Sequence, residues 1–231
     1  MTSAVILAGG LGTRLREAVP DVPKPMAPVR GRPFLEHQMD YWVGQGIDRF
    51  ILSVGYRHEV ISEHFGSNYR GADIEYVVEN TPLGTGGGLL LAVEKLSDAF
   101  LLLNGDTFFA VDLPELTKFH KNKKSGVTFC LFATDDTDRY MGLAVDDDGR
   151  ITNLRVSNVV KKTLANGGVY MINPDEIKGL GLLAGEKASL EDDIFPMMAK
   201  AGNSMFGMEA SGLFIDIGIP DDFERAQEVL P

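Results

Sequence analysis

The sequence contains a single cysteine, Cys130, in 231 residues. One thiol rules out an intrachain disulfide and leaves too little to build a cysteine-ligated zinc site. It sits in the apolar run Val127 to Ala133, where a buried structural thiol is expected. A basic surplus is also missing: 22 lysines and arginines face 33 aspartates and glutamates, giving a net charge of −11. Such a chain has no reserve of cations to neutralise a phosphate backbone or an anionic bilayer, so neither nucleic acid nor membrane is expected as a partner. No apolar run approaches the ~20 residues that span a membrane. The first residues lack the charged-then-apolar pattern of a secretory signal, which makes the cytoplasm the expected location. Histidine is scarce too. His37, His58, His64 and His120 all fall on helical patterns and read as surface or packing residues. No Ser-His-Asp or Cys-His constellation is evident.

What is present is an ordinary globular composition, 44% apolar and 24% charged, in a length suited to one α/β core. The first two thirds alternate between short apolar runs and helical spacings. Ala4 to Ala8, Phe50 to Val54, Ile74 to Val78 and Ala99 to Leu103 read as buried strands. Between them, Phe34, Leu35, Met39, Trp42 and Val43 recur at helical spacing; Val60, Ile61 and Phe65 suggest a short helix, and Leu89 to Leu96 another. This rhythm implies parallel strands with right-handed crossovers. The last third is less regular. Strands are expected at Thr128 to Ala133, Leu143 to Val145, Gly168 to Ile172 and Leu213 to Ile217. Helices are expected at Leu116 to Lys121, Leu190 to Lys200 and Pro220 to Leu230, the last opened by a proline where no N–H donor is needed.

The segment Leu7-Ala8-Gly9-Gly10-Leu11-Gly12-Thr13-Arg14 follows the first strand directly. Its glycines let the backbone turn tightly and bring N–H groups close to an anion. Thr13 adds a hydroxyl, and Arg14 a fork suited to phosphate oxygens. Lys24 follows on a segment stiffened by Pro23 and Pro25. Neither a dinucleotide fingerprint nor a P-loop fits, since Leu15 stands where the third glycine would and no Gly-Lys-Ser/Thr occurs. Two acids end apolar runs, Asp106 after Leu101 to Gly105 and Asp216 after Leu213 to Ile215. A carboxylate just past the C-terminal end of a parallel strand faces the ligand crevice of such folds, and hard oxygens suit Mg²⁺. Each is equally compatible with an acid in a turn or a paired core aspartate.

Together, the GGxGTRL loop and the Pro-Lys pair resemble the signature of the sugar-1-phosphate nucleotidyltransferase family, and the likeness runs essentially end to end. The resemblance implies a Rossmann-like, mixed but mostly parallel sheet flanked by helices in three αβα layers. It implies one domain over residues 1–231, with a nucleotide-binding half at about 1–125 and a sugar-binding half at about 126–231. It assigns the triphosphate to Leu7, Ala8, Gly9, Gly10, Gly12, Thr13, Arg14 and Lys24, with Asn104 and Gly105 beside them, and Mg²⁺ to Asp106 and Asp216. Arg14, Lys24 and Asp106 become the catalytic set. The nucleobase pocket falls on Pro82, Leu83, Gly84 and Thr85, and the sugar on Arg139, Tyr140, Asn166, Gly167 and Gly168. Ahead of the base segment stands Glu79, an acceptor suited to the N1–H and N2–H₂ of guanine. This favours GTP over UTP or dTTP.

Within the family, the runs Asp21 to Pro28, Asn104 to Phe109 and Phe214 to Gly218 look most like D-glycero-α-D-manno-heptose 1-phosphate guanylyltransferases. These make GDP-heptose for bacterial capsule or other surface polysaccharide, and the family suggests a homodimer. Mannose 1-phosphate with GTP, N-acetylmuramate 1-phosphate with UTP, and a non-catalytic nucleotide-sugar sensor are the competing readings. One departure stands out. The family carries a Glu-Lys pair shortly before its sugar strand, whose lysine holds the sugar phosphate; counting places Arg155-Val156-Ser157 there. Arg155, Lys161 and Lys162 are the basic residues available in its place.

Overall fold

The computed structural model describes residues 2–10, 22–136, 139–140, 142–156 and 163–230. Fourteen strands and seven α-helices are present among them. The first half holds β1 (Ser3–Ala8), a hairpin of β2 (Pro28–Val29) and β3 (Arg32–Pro33), α1 (Phe34–Gly44), β4 (Arg49–Val54) and α2 (His58–Phe65). There follow β5 (Asn68–Tyr69), β6 (Ala72–Val78), α3 (Gly84–Val93), β7 (Phe100–Asn104), β8 (Thr107–Phe109) and α4 (Leu113–Lys123). The second half holds β9 (Val127–Thr134), β10 (Gly142–Val145), β11 (Ile151–Val156), β12 (Thr163–Ile172) and α5 (Pro174–Lys178). A π-helical turn at Leu190–Ile194 leads into α6 (Phe195–Lys200), and β13 (Met205–Glu209), β14 (Phe214–Asp216) and α7 (Pro220–Val229) complete the chain.

Ten strands form one mixed sheet. Its spine runs β11-β10-β12-β7-β1-β4-β6-β5, with β9 on the free edge of β12 and β13 on β9. The neighbours β7, β1, β4 and β6 are parallel, as the apolar runs joined by helices predict. From β12 outward, pairing becomes antiparallel to β7, β9 and β10. Strand alternation splits the core in two. Ala4 and Ile6 of β1 face Leu35, Met39 and Trp42 of α1, together with Ile61 and Leu116. Val5 faces the opposite layer, with Leu89, Leu90 and Val93 of α3 and Phe195 and Met198 of α6. Cys130 is fully buried, and burial pushes its thiol above the ordinary cysteine range, as an inert packing thiol requires. No helix of the described chain is long and apolar enough to cross a membrane.

The structure revises three local expectations. The glycine run after Glu79 is helical, because α3 begins at Gly84 rather than Leu89. Its glycines are packing positions: a Cβ on Gly86 would lie 2.9 Å from Ala188 and Ile194, and one on Gly87 2.7 Å from the carbonyl of Glu186. Close approach to the segment before α6 therefore overrides the low helix propensity of glycine. The expected single helix at Leu190–Lys200 opens as a π-helical turn, with Ser189 at its cap accepting from the Asp192 amide. Two strands, β11 and β13, lie where no periodic signal stood out. β11 alternates only between half-exposed and exposed residues, so its sequence carries no apolar stripe.

Past the C-terminal ends of β1 and β7 the chain must open a cleft, and Gly105 sets how closely those ends approach. Its amide donates to the Leu7 carbonyl at 3.0 Å. A Cβ at 105 would fall 2.4 Å from that same oxygen, which is backbone and cannot step aside, whereas one on Gly10 would meet none of the described residues within 4 Å. Gly105→Ala is accordingly expected to cost about 1–3 kcal/mol, a fall of roughly 2–12 °C in melting temperature for a chain of this length. Gly10→Ala should leave the melt nearly unchanged, and thermal unfolding of the two variants side by side tests the distinction.

Candidate functional site

Three charged groups converge where β1 and β7 end and β8 begins. Lys24 opens a short 3₁₀ turn at Lys24–Met26, following Pro23. Its Nζ donates to Asp106 Oδ2 at 2.5 Å, with the lysine side chain one-tenth exposed and the aspartate about two-fifths. Asp106 occupies the tight turn between β7 and β8. The antiparallel pairing of β8 with β14 sets Asp216 opposite Thr107, and the Ile217 amide donates to the Asp106 carbonyl at 3.0 Å. Asp216 Oδ1 accepts from the Gly218 amide at 2.7 Å. Gly218 is glycine for a local reason: a Cβ there would lie 2.4 Å from Lys24 Nζ and 2.8 Å from Asp216 Oδ1. Burial first, and then the neighbouring charge of Asp106, raise the Asp216 carboxyl above the ordinary aspartate range. Two carboxylates thus share this corner with Lys24 as a cation between them, the donor chemistry that suits a hard divalent ion. The two aspartates were paired by the resemblance alone, and the ion pair of Asp106 with Lys24 has no signal in the sequence.

Lys24 and Asp106, but not Asp216, line a cleft of about 450 Å³. Leu7, Ala8, Gly9, Gly10 and Lys24 form one wall, and Asn104, Gly105 and Asp106 the next. Glu79, Pro82, Gly84 and Thr85 line the far side. The structure therefore brings together all the described residues expected to hold the nucleotide except Leu83. That residue is buried beneath the wall, where its amide donates to Glu79 Oε2 at 3.0 Å. Glu79 Oε1 accepts from the buried Ser53 hydroxyl at 3.2 Å, and a Cβ on Gly9 would strike the same oxygen. Burial raises the Glu79 carboxyl, against the opposing pull of these two donors. Gly12, Thr13 and Arg14 lie outside the described residues.

The residues expected to hold the sugar fall into two groups. Asn166, Gly167 and Gly168 form an irregularity in β12, where three residues on β12 face one on β9 between the Asn166–Leu131 and Tyr170–Phe129 pairs. Gly168 has φ +70°, and a Cβ there would lie 2.6 Å from Thr107 Oγ1 and 2.8 Å from Asn104 Nδ2. Asn166 donates to the Tyr170 hydroxyl at 2.7 Å and accepts from the Gly168 amide. The sugar-side glycines thereby press on the turn that carries Asp106. Arg139 and Tyr140 sit apart, over a hollow of about 730 Å³ lined also by Phe214 and Asp222. The Arg139 guanidinium donates to the buried Asp222 carboxylate, which Arg225 also reaches at 3.1 Å. It covers the Tyr140 ring at 4.7 Å, and that ring meets Phe132 and Phe214 edge-on. Arg155 is more than half exposed and pairs with Asp192, whereas Lys161 and Lys162 lie outside the described residues.

Sequence reading missed Ser53, Asp222 and Gln38, each polar, buried and bonded to a site segment. For Gln38 a signal existed, since an amide stands on the apolar face marked by Phe34, Leu35, Met39 and Trp42. The raised Asp216 carboxyl has a measurable consequence. An acid whose folded pKa lies above its unfolded one contributes stability only at low pH, and loses it as pH rises through the folded value. Asp216→Asn should therefore raise the melting temperature of the metal-free protein at neutral pH, with the gain vanishing on acidification below the ordinary aspartate range. Melting curves across pH measure this; a variant less stable at neutral pH would contradict it.

Comparison with known proteins agrees with this architecture. The nucleotidyl transferase family model matches residues 3–231. The D-glycero-α-D-manno-heptose 1-phosphate guanylyltransferase of Aneurinibacillus thermoaerophilus is 40% identical over 228 residues, covering 98% of this chain and 97% of its own. The protein of the same name from Campylobacter jejuni is 38% identical, covering 95% and 96%. Among solved structures, HddC of Yersinia pseudotuberculosis, complexed with GMP-PN, superposes with a TM-score of 0.85 at 33% identity over 99% of both chains. With a family model spanning almost every residue and full-length relatives on the same fold, the chain belongs to the sugar-1-phosphate nucleotidyltransferases and is an enzyme of that class.

Proposed function

We propose that this enzyme transfers GMP from GTP to D-glycero-α-D-manno-heptose 1-phosphate, releasing pyrophosphate and GDP-heptose for capsule or other surface polysaccharide. The observation that carries the nucleotide half is Glu79, a half-buried carboxylate on the wall of a cleft whose other end is the Lys24–Asp106 pair. Its two oxygens offer about four acceptor positions, of which Ser53 and Leu83 use two. The rest suit the two adjacent N–H donors on the guanine edge. Support for the heptose comes from the names of the two full-length bacterial relatives. The acceptor sugar lies toward Asn166, Gly167 and Gly168, with Tyr140 farther along.

The reaction is a single in-line displacement. A phosphate oxygen of the sugar 1-phosphate attacks the α-phosphorus of GTP, the bond to the β-phosphate oxygen breaks, and pyrophosphate leaves. No nucleophilic side chain is needed, so catalysis rests on positioning and charge neutralisation. Lys24 has three donors, one engaged by Asp106, and offers the others to the α-phosphate. Arg14, from the glycine loop, serves the departing phosphates. Mg²⁺ fits the Asp106–Asp216 pair, and when bound it offsets the repulsion between the two anionic substrates. Arg155 stands by counting where the family has its sugar-phosphate lysine but pairs with Asp192, and Arg155, Lys161 and Lys162 are the basic residues available for that contact.

Pyrophosphate release measured over four nucleoside triphosphates and a panel of sugar 1-phosphates tests the reading. GTP with the heptose should give the highest kcat/KM. A preference for mannose 1-phosphate or for UTP would redirect the assignment, and no release with any pair would favour a sensor. Asp106→Asn should lower kcat at least ~100-fold, because several kcal/mol of charge stabilisation are lost.

Glu79 yields a separate expectation. Its carboxyl is raised by burial, and the protonated form loses an acceptor for guanine. The KM for GTP should therefore climb on acidification at a pH above the ordinary glutamate range. Glu79→Gln should raise that KM roughly 10–100-fold, the worth of a charge-assisted hydrogen bond, and should flatten its pH dependence. A GTP KM in Glu79→Gln equal to that of the parent would remove Glu79 as the guanine reader.

A further inference from the structure

Gln38 lies in the second turn of α1, on the face that packs against the sheet, and is 1% exposed. Its Nε2 donates two hydrogen bonds, each 2.8 Å, to the carbonyls of Asn104 and Thr107. These carbonyls flank the Gly105-Asp106 turn on either side. A neutral group that supplies two protons from one nitrogen is a primary amide, so a buried position facing two carbonyls selects Gln chemically. The amide orientation follows as well, since the flipped form would press its oxygen against both carbonyl oxygens. The arrangement has a cost. Gln38 Oε1 is buried without a hydrogen-bond partner among the described residues, as are Asn104 Oδ1 and Thr107 Oγ1. An apolar residue would remove the orphaned Oε1 but would take this donor from both carbonyls, so the amide is explained by the turn rather than by the core.

Each strand end at the turn is paired on its own ladder, Asn104 with Leu7 and Thr107 with Asp216, but among the described side chains it is Gln38 that bonds to both. Gly105 is tied to Leu7 through its amide, and the Asp106 carbonyl to Ile217. Both of these bonds act inside the turn, whereas Gln38 fixes the two points where the turn leaves β7 and enters β8. The Asp106 side chain hangs from that frame and meets Lys24.

We propose that Gln38 is a positioning residue, an amide clamp on α1 that sets the backbone frame of Asp106 and, through it, of the metal and the α-phosphate. This rests on the nucleotidyltransfer reading of Asp106 given above. The clamp acts on the Asn104–Asp106 wall of the cleft and makes no hydrogen bond, among the described residues, to its Glu79 side.

The test uses Gln38→Met, close in volume and without donors, in the full chain. In pyrophosphate release at saturating Mg²⁺, kcat should fall about 10–100-fold, as for an ångström-scale misplacement, with the KM for GTP within about threefold of the parent. In an Asp106→Asn background, Gln38→Met should cost nothing more, since the group it positions is already gone. Independently of activity, amide hydrogen exchange in the metal-free protein should speed up at least ~10-fold at residues 104–107 and stay unchanged in β1.

Met39→Ala, one residue along and fully buried, controls for lost core packing. Several outcomes would overturn the clamp: a kcat within twofold of the parent, an equal loss in the Asp106→Asn background, unchanged exchange at 104–107, or the same kcat loss in Met39→Ala. If Asp106→Asn itself keeps full turnover, the reading of Asp106 fails instead, and the exchange result still decides whether Gln38 holds the turn.

Discussion

Two carboxylates and an ammonium meet at one corner of the sheet, and much of the surrounding architecture serves to hold them there. Asp106 and Asp216 come from strands far apart in sequence, joined by the short β8–β14 ladder. Left to themselves, like charges in a half-buried corner separate or protonate. Lys24 counters part of that tendency. The rest is overcome by rigid attachment: Gly105 against Leu7, Ile217 against the Asp106 carbonyl, and Gln38 across the base of the turn. Gly218 and Gly168 leave the volume that these side chains fill.

The division of labour across the sheet follows from its connectivity. The parallel strands β7, β1, β4 and β6 present their C-terminal ends together, as strands joined by right-handed crossovers do. The backbone after β1 and the acidic turn after β7 therefore arrive at one edge. Beyond β7 the chain turns antiparallel, and a bulged strand brings Asn166 to Gly168 against the same edge from the other side. A ligand lying across this boundary meets donors from both kinds of sheet.

Much of this was readable in the amino acids alone. Apolar runs such as Ala4 to Ala8 and Ala99 to Leu103 can only be buried strands in a chain of this composition, and the acids and glycines at their ends mark the cleft. The resemblance supplied the pairing of Asp106 with Asp216, which no spacing argument could bring together. Other features stayed hidden for physical reasons. The helical start at Gly84 depends on contacts with Ala188, a hundred residues away, which outweigh local propensity. Arg139 reads as a ligand-binding cation, yet its guanidinium is committed to the buried Asp222, a partner on α7 that local sequence does not announce. β11 lacks an apolar stripe because neither of its faces is fully covered.

One strand gives the assembly its mechanical character. The ten residues of β12 are shared: Val169 to Ile172 pair with β7, Leu164 and Ala165 pair with β10, and β9 runs along the opposite edge. It acts as a beam common to the parallel and antiparallel parts of the sheet, with no seam between them to serve as a hinge. Rotating one half against the other would shear a continuous hydrogen-bond ladder. Any closing over a bound ligand must therefore come from segments outside the sheet, while the sheet beneath it stays fixed.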